Sequence, residues 1–155
     1  MIDYQRIFHL GVRVPSLERA MDELGESLGV TWAEPRDIAD QSLWTPDSGL
    51  REVPLRFTYS AEGPQHIELL EGAPGTPWNG DDAPGAHHVG VWVDDIAIET
   101  ERLVGLGWDL VAAHQPPGER YGVFTYLRPR SGLIVELVDA VIAPHFEQWW
   151  AAASG

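Results

Sequence analysis

The sequence predicts an α+β domain built from two copies of one unit, each a strand, a helix and about three further strands. Three observations lead there. Two phrases recur in the same order: His9-Leu-Gly-Val-Arg-Val returns as His88-Val-Gly-Val-Trp-Val, and Ile67-Glu-Leu-Leu-Glu returns as Val135-Glu-Leu-Val-Asp. Each copy of the first phrase is followed by a polar break and then by apolar residues at helical spacing. The length of 155 residues, 44% of them hydrophobic, suits one ordinary core.

Taken in order, residues 6–14 alternate as a strand. Ser16 can cap a helix running to about Leu28, in which Leu17, Met21, Leu24 and Leu28 form one stripe and Gly29 is placed to end it. Strands are expected at 30–34, 53–60 and 65–71. The interval between the paired motifs is 59 residues in the first half and 48 in the second, so an insertion is expected between Trp32 and Leu50. Residues 72–86, rich in Gly and Pro, read as a connector. The second unit repeats the order: a strand over 87–93, a helix capped by Asp95 and ended by Gly107, then strands near 108–114, 121–128 and 133–139. From Pro144 the tail has Phe146, Trp149 and Trp150 on one helical side, expected as a cap over an open end of the core. The expected division is a single domain over 1–155, with module one about 5–72, connector 73–86, module two about 87–140 and an amphipathic tail 141–155.

Composition removes several function classes. Ten basic against 24 acidic residues leave a net charge of -14, which repels nucleic acid and anionic membrane surfaces. Without cysteine there is no disulfide, thiolate metal site or cysteine nucleophile. The N-terminal MIDYQRIFHLGVRV lacks the pattern of a signal peptide, and no segment approaches 18 apolar residues, so a cytoplasmic location is the expectation.

The chemistry lies in polar residues set in apolar strands. Alternation places His9, Gly11 and Arg13 on one face of their strand and Leu10, Val12 and Val14 on the other, and it does the same for His88, Gly90 and Trp92 against Val89, Val91 and Val93. The Val/Leu face is the natural seat of a helix, so both histidines point to the opposite side. Glu68 and Glu136 sit in strands where an unpaired carboxylate costs several kcal/mol to bury. The plainer alternative is a wet sheet face with Arg13, Arg56 or Arg128 as partners. Against it stand four such residues at matched positions of two copies. Two imidazoles and two carboxylates offer an N2O2 set whose charge balances a divalent ion such as Zn, Ni, Co, Mn, Fe or Mg.

The phrases FHLGVRVPSLERA, HIELLEG, GAHHVGVWVDDI and GLIVELVD resemble the vicinal oxygen chelate superfamily, in its glyoxalase and methylmalonyl-CoA epimerase-like branch, over about residues 6–140. The resemblance implies two βαβββ modules forming a cupped mixed sheet around a metal site. It also implies metal ligands at His9, Glu68, His88 and Glu136. The activity it implies is that of a lyase or isomerase that binds a carbonyl or enolate at the metal and moves the adjacent proton. Glu68 or Glu136 would serve as base, or Glu52 as a flanking acid or base. A small-molecule substrate and a homodimer follow from the same source. Two other readings within the family are a drug-sequestering protein of the bleomycin-binding type and an iron-dependent extradiol dioxygenase, for which Glu68 is a surplus ligand.

Register places His88, not His87, opposite His9, which leaves His87 facing the helix side or the strand's entry. His66 is either a partner of the site or a solvated strand end, and His114 and His145 receive no role. A chain with scattered arginines shows no basic cluster to hold an anionic CoA ester or glutathione, and its seven tryptophans suit an apolar substrate or the core.

Overall fold

The helices form where their stripes and caps require. In the computed structural model, which describes residues 1–154, β1 (Ile7–Arg13) leads into α1 (Leu17–Leu28). The Ser16 side chain accepts from the Arg19 N–H, and Gly29, at φ 71°, ends the helix in the left-handed conformation. Then come β2 (Arg36–Thr45), β3 (Gly49–Tyr59) and β4 (His66–Gly72). The second half repeats the order with β5 (Gly85–Val93), α2 (Ile96–Gly105), β6 (Asp109–Ala113), β7 (Phe124–Arg128) and β8 (Val135–Asp139), and α3 (Ala143–Ala153) follows. Asp95 caps α2 by accepting from the Ile98 N–H at 3.0 Å.

The eight strands curve beyond a cup into a closed mixed barrel, in the order β1-β4-β3-β2-β6-β7-β8-β5. The two halves meet along the antiparallel pair β1–β5 and again at the far side, where β2 touches β6 through the single pairing of Trp44 with Ala113. Outside the barrel, α1 covers Val14 and Leu69 through Leu17, Met21 and Leu24, and α2 covers Val91 and Leu137 through Ile96 and Leu103. The interior is a separate aromatic cluster around Phe8, Phe57, Tyr59, Trp78 and Tyr126. Helix α3 closes one end by burying Trp150 in that cluster, with Phe146 and Trp149 packed beside it.

Two expectations change. The second strand is not at 30–34, where only Trp32 bridges Ser60, but at Arg36–Thr45. The stretch expected as an insertion is therefore β2 and the start of β3, a long hairpin that reaches β6. The Gly/Pro-rich stretch is more than a connector: Trp78 within it is buried in the barrel interior, and its indole N–H donates to the Tyr126 hydroxyl at 3.0 Å. Among the described residues no helix is long and apolar enough to cross a membrane.

Candidate metal centre

Strand register assembles the site. On the inner face, Tyr59 of β3 pairs with Glu68 of β4, Glu68 with Gly11 of β1, and Gly11 with His88 of β5. The mirror-image row runs His9 of β1, Gly90 of β5, Glu136 of β8 and Tyr126 of β7. Each glycine is a gap into which the histidine of the neighbouring strand folds, and a methyl group at Gly11 would overlap the His88 ring, as one at Gly90 would overlap the His9 ring. The repeated His-x-Gly motif is thus reciprocal, each half supplying the ring that lies over the other half's glycine.

The folded rings bring their Nε2 atoms to 2.9 Å from each other. His9 Nε2 lies 3.3 Å from Glu68 Oε2 and 3.0 Å from Glu136 Oε2, and His88 Nε2 lies 3.2 Å from both carboxylate oxygens. All four side chains are buried, and the four atoms lie within 4.8 Å of one another, so these residues could hold a metal ion. The fit is chemical as well as geometric. Neither Glu68 Oε2 nor Glu136 Oε2 has a hydrogen-bond partner. Buried oxygens without a well-aligned hydrogen-bond partner, crowded against two imidazole nitrogens, are what a divalent cation satisfies.

The electrostatics without an ion point the same way. Burial pushes the His9 imidazole down, but Glu68 and Glu136 outweigh it and raise it to about 9. His88 is also raised by the two carboxylates against burial. Burial would raise both glutamates, yet the histidines hold them below the usual carboxylate range. Burial and the two carboxylates push the Tyr59 and Tyr126 hydroxyls well up, so both stay protonated beside Glu68 and Glu136. An entering cation has to displace the proton on His9. That proton is bound below about 9 and lost above it, so apparent metal affinity should rise with pH and level off as pH passes about 9. Calorimetry at neutral pH in two buffers of different ionisation enthalpy should register proton release, and equal heats in both would contradict it.

Other sequence candidates fall in different places. Glu52 is exposed and pairs with Ser42, its side chain on the opposite face of β3 from Val53, Leu55 and Tyr59, so it lies away from the interior. Its expected role as a flanking acid or base does not fit that position, because alternation in β3 turns even-numbered residues outward. Glu71 also faces out and accepts from the Leu17 N–H at 2.7 Å. His66 is buried rather than solvated, donating from Nδ1 to the Ser60 carbonyl at 2.7 Å and stacking on Trp150 at 3.7 Å.

His87, expected at the helix side or the strand's entry with no part in the site, touches a site residue: its Nδ1 is 2.9 Å from His88 Nδ1. Burial and neighbouring His88 push its pKa down to about 4, which keeps it neutral and able to accept the Nδ1–H of His88. This contact orients the His88 ring with Nε2 inward. His87→Ala should retain the ion but weaken its affinity about tenfold to a hundredfold, and a competitive chelator titration would detect it. Glu52→Gln should change neither affinity nor any activity.

Beside the cluster lies a cavity of about 220 Å³, bordered by Glu68, Glu136, Tyr59 and Tyr126 and walled by apolar side chains including Leu55, Phe57 and Phe124. Gln41 and His114 add polar groups. The sequence did not expose Tyr59, Tyr126, Trp78, Gln41 or His114. Only the tyrosines left a usable signal, since they stand nine and ten residues before the matched glutamates.

Comparison with known proteins agrees with this architecture. The chain is 26% identical over 136 residues to an ethylmalonyl-CoA/methylmalonyl-CoA epimerase of Cereibacter sphaeroides, covering 85% of this chain and 96% of the relative. A methylmalonyl-CoA epimerase variant from Streptomyces coelicolor, solved with 2-nitronate-propionyl-CoA, superposes with TM-score 0.58 at 18% identity, over 86% of this chain and 93% of that one. The Mycobacterium tuberculosis methylmalonyl-CoA epimerase gives TM-score 0.54 at 19% identity over 90% and 92%. A 4-hydroxymandelate synthase variant from Streptomyces coelicolor gives 0.57 at 15% identity, over 86% of this chain but 48% of its own. A family model covers residues 8–126, more than half the sequence, and the chain therefore belongs to the Glyoxalase/Bleomycin resistance protein/Dioxygenase superfamily.

Proposed function

We propose that the protein is a metal-dependent lyase or isomerase that moves a proton on the carbon next to a substrate carbonyl. The observation that carries this reading is the convergence of His9, Glu68, His88 and Glu136, with two unpartnered carboxylate oxygens, at the edge of a cavity. A divalent ion held by these four would supply Lewis acidity, drawing charge toward a carbonyl oxygen and lowering the barrier to enolate formation. The glutamates supply the base. Both border the cavity and both are held ionised, so either can take the α-proton onto a carboxylate oxygen while the C–H electron pair moves into the carbonyl unit. Return of that proton to the same or an adjacent atom completes an isomerisation with no external reactant.

The protonated Tyr59 and Tyr126 beside the two glutamates orient them, and Trp78 fixes Tyr126 in turn. A small molecule is the partner this cavity admits, and a homodimer is the assembly suggested by the family resemblance.

The test is solvent-deuterium exchange followed by NMR, using metal-loaded protein and a panel of carbonyl compounds bearing an acidic α-proton. Faster exchange than with metal-free protein is the expected result. Glu68→Gln and Glu136→Gln, which keep a ligand oxygen but lose the basic charge, should separate the base from its partner by about a hundredfold or more in rate. If no compound exchanges faster with the loaded protein, the proton-transfer reading fails.

A further inference from the structure

His114 lines the cavity but belongs to neither the metal cluster nor its immediate supports. A costly piece of backbone holds it there. Arg120, Tyr121 and Gly122 are consecutive residues in the left-handed region, at φ 53°, 66° and 70°, and the first two carry side chains that disfavour it. Both are clamped. The Arg120 guanidinium donates to the two carboxylate oxygens of Asp95 at 2.9 Å each, and Tyr121 is buried in the core beneath α2. Further bonds close the turn, from the Gln115 N–H to the Tyr121 carbonyl at 3.0 Å and from the His114 N–H to the Phe124 carbonyl at 3.0 Å.

What the turn delivers is one imidazole in one tautomer. The Val123 N–H donates to His114 Nδ1 at 3.2 Å, so that nitrogen is bare and the proton of the neutral ring sits on Nε2. Burial holds the ring below the usual histidine pKa, which favours the neutral form. Gly122 leaves the space for it, since a methyl group there would overlap Nδ1. Among the described residues nothing bonds Nε2, and the atom is not sealed inside the protein. The Nε2–H is therefore a fixed, unspent donor in a wall that is largely apolar.

Its place relative to the cluster follows from register. His114 is bonded to Phe124, which pairs with Val138, whereas Tyr126 pairs with Glu136. His114 thus stands one side-chain repeat, about 7 Å, along the inner face from the carboxylate level. A cavity of about 150 Å³ accommodates a benzene ring, so the cavity of about 220 Å³ spans that interval with one six-membered ring.

We infer that His114 is a specificity residue, its Nε2–H a prepositioned donor for a second oxygen of the substrate at the end of the cavity away from the metal cluster. The substrate class this selects is a ring-sized carbonyl compound with an oxygen acceptor on the far side of the ring. The inference rests on the proton-transfer reading, in which the first oxygen is the carbonyl at the metal.

The experiment has two readouts, neither of them turnover. Heteronuclear NMR of the full chain, with the histidine ring nitrogens assigned, should show His114 Nε2 protonated and Nδ1 bare. Calorimetry on zinc-loaded protein then compares cyclohexane-1,4-dione with cyclohexanone, the same ring with and without the distal oxygen. The dione should bind about tenfold more tightly, beyond the statistical advantage of its two equal carbonyls. It should also shift the His114 Nε2 resonance of the unaltered protein, where cyclohexanone does not. His114→Phe, which keeps a ring but no donor, and Gly122→Ala, which displaces the imidazole, should both erase the preference while zinc affinity stays the same. A protonated Nδ1, equal binding of the two ketones, or a preference that survives His114→Phe overturns the inference. A dione preference that depends on His114, found without any deuterium exchange, supports the inference and counts against the proton-transfer reading alone.

Discussion

His9→Ala and Glu136→Ala should each lower affinity for a divalent ion by more than about a hundredfold, since loss of a ligand exceeds the cost of losing a mere ligand support. The effect is large because the cluster is closed on itself. The two histidine nitrogens lie 2.9 Å apart and each is within 3.3 Å of both carboxylate oxygens, so removing one side chain opens one position of a four-membered set. Removing His9 also strips the two carboxylates of a counter-charge in a buried place, so the metal-free variant should gain a proton on Glu68 or Glu136. Elemental analysis of protein purified without a metal-binding tag checks the first consequence. Unchanged metal content in His9→Ala would mean that the four residues hold no ion. His88→Ala and Glu68→Ala should behave alike, because the two rows are equivalent by register.

Gly90→Ala and Gly11→Ala should empty the site just as thoroughly without altering a single ligand. A methyl group at Gly90 occupies the volume of the His9 ring, and one at Gly11 that of the His88 ring. Both positions lie in paired strands, β1 and β5, so relief of the overlap falls first on the histidine ring, which rotates away from its partners. The expected outcome is loss of metal binding, with a fold penalty of about 1–3 kcal/mol from overpacking. Gly105→Ala is the control: an added methyl there meets nothing within 4 Å, and in the last turn of α2 it should be neutral or slightly stabilising. Chemical denaturation and metal titration on the three variants separate packing from ligation. If Gly90→Ala binds metal normally, the reciprocal packing does not position the histidines.

How much of this was legible depended on whether a residue's role was local or created by distant strands. The inward direction of His9 and His88 follows from period-two alternation within their own strands, while Glu68 and Glu136 stood out by their matched positions in the two copies and by the family resemblance. The choice of His88 over His87 rested on the same register. What alternation could not show is the neighbour across the sheet, so the role of His87 as a support for His88 was invisible.

The strand β2 was missed because Arg36–Thr45 carries a polar, charged sequence in which only Leu43 is buried. It is held by pairing with β3 rather than by a hydrophobic face, and residues 30–34 before it mimic a strand better. Trp78 was concealed for a related reason. A Gly- and Pro-rich neighbourhood reads as a surface loop, whereas the indole finds its partner in Tyr126, far along the chain. Glu52 was misplaced because the start of β3, and hence its parity, was unknown until the hairpin was in view.

The two rows also divide the molecule by ownership. Each half contributes one imidazole, one carboxylate, one glycine and one tyrosine to the candidate centre, so the cluster is two equal shares of a common pattern. The lining of the cavity is shared unequally. Gln41 comes from a hairpin longer than its counterpart, Trp78 from the link between halves, and Ile142 and Phe146 from the segment after the last strand. Those last two parts occur once. On the proposed function, reactivity would be vested in what the chain repeats and selectivity largely in what it does not, so that exchanging the singular parts would change the substrate while the paired parts kept the chemistry constant.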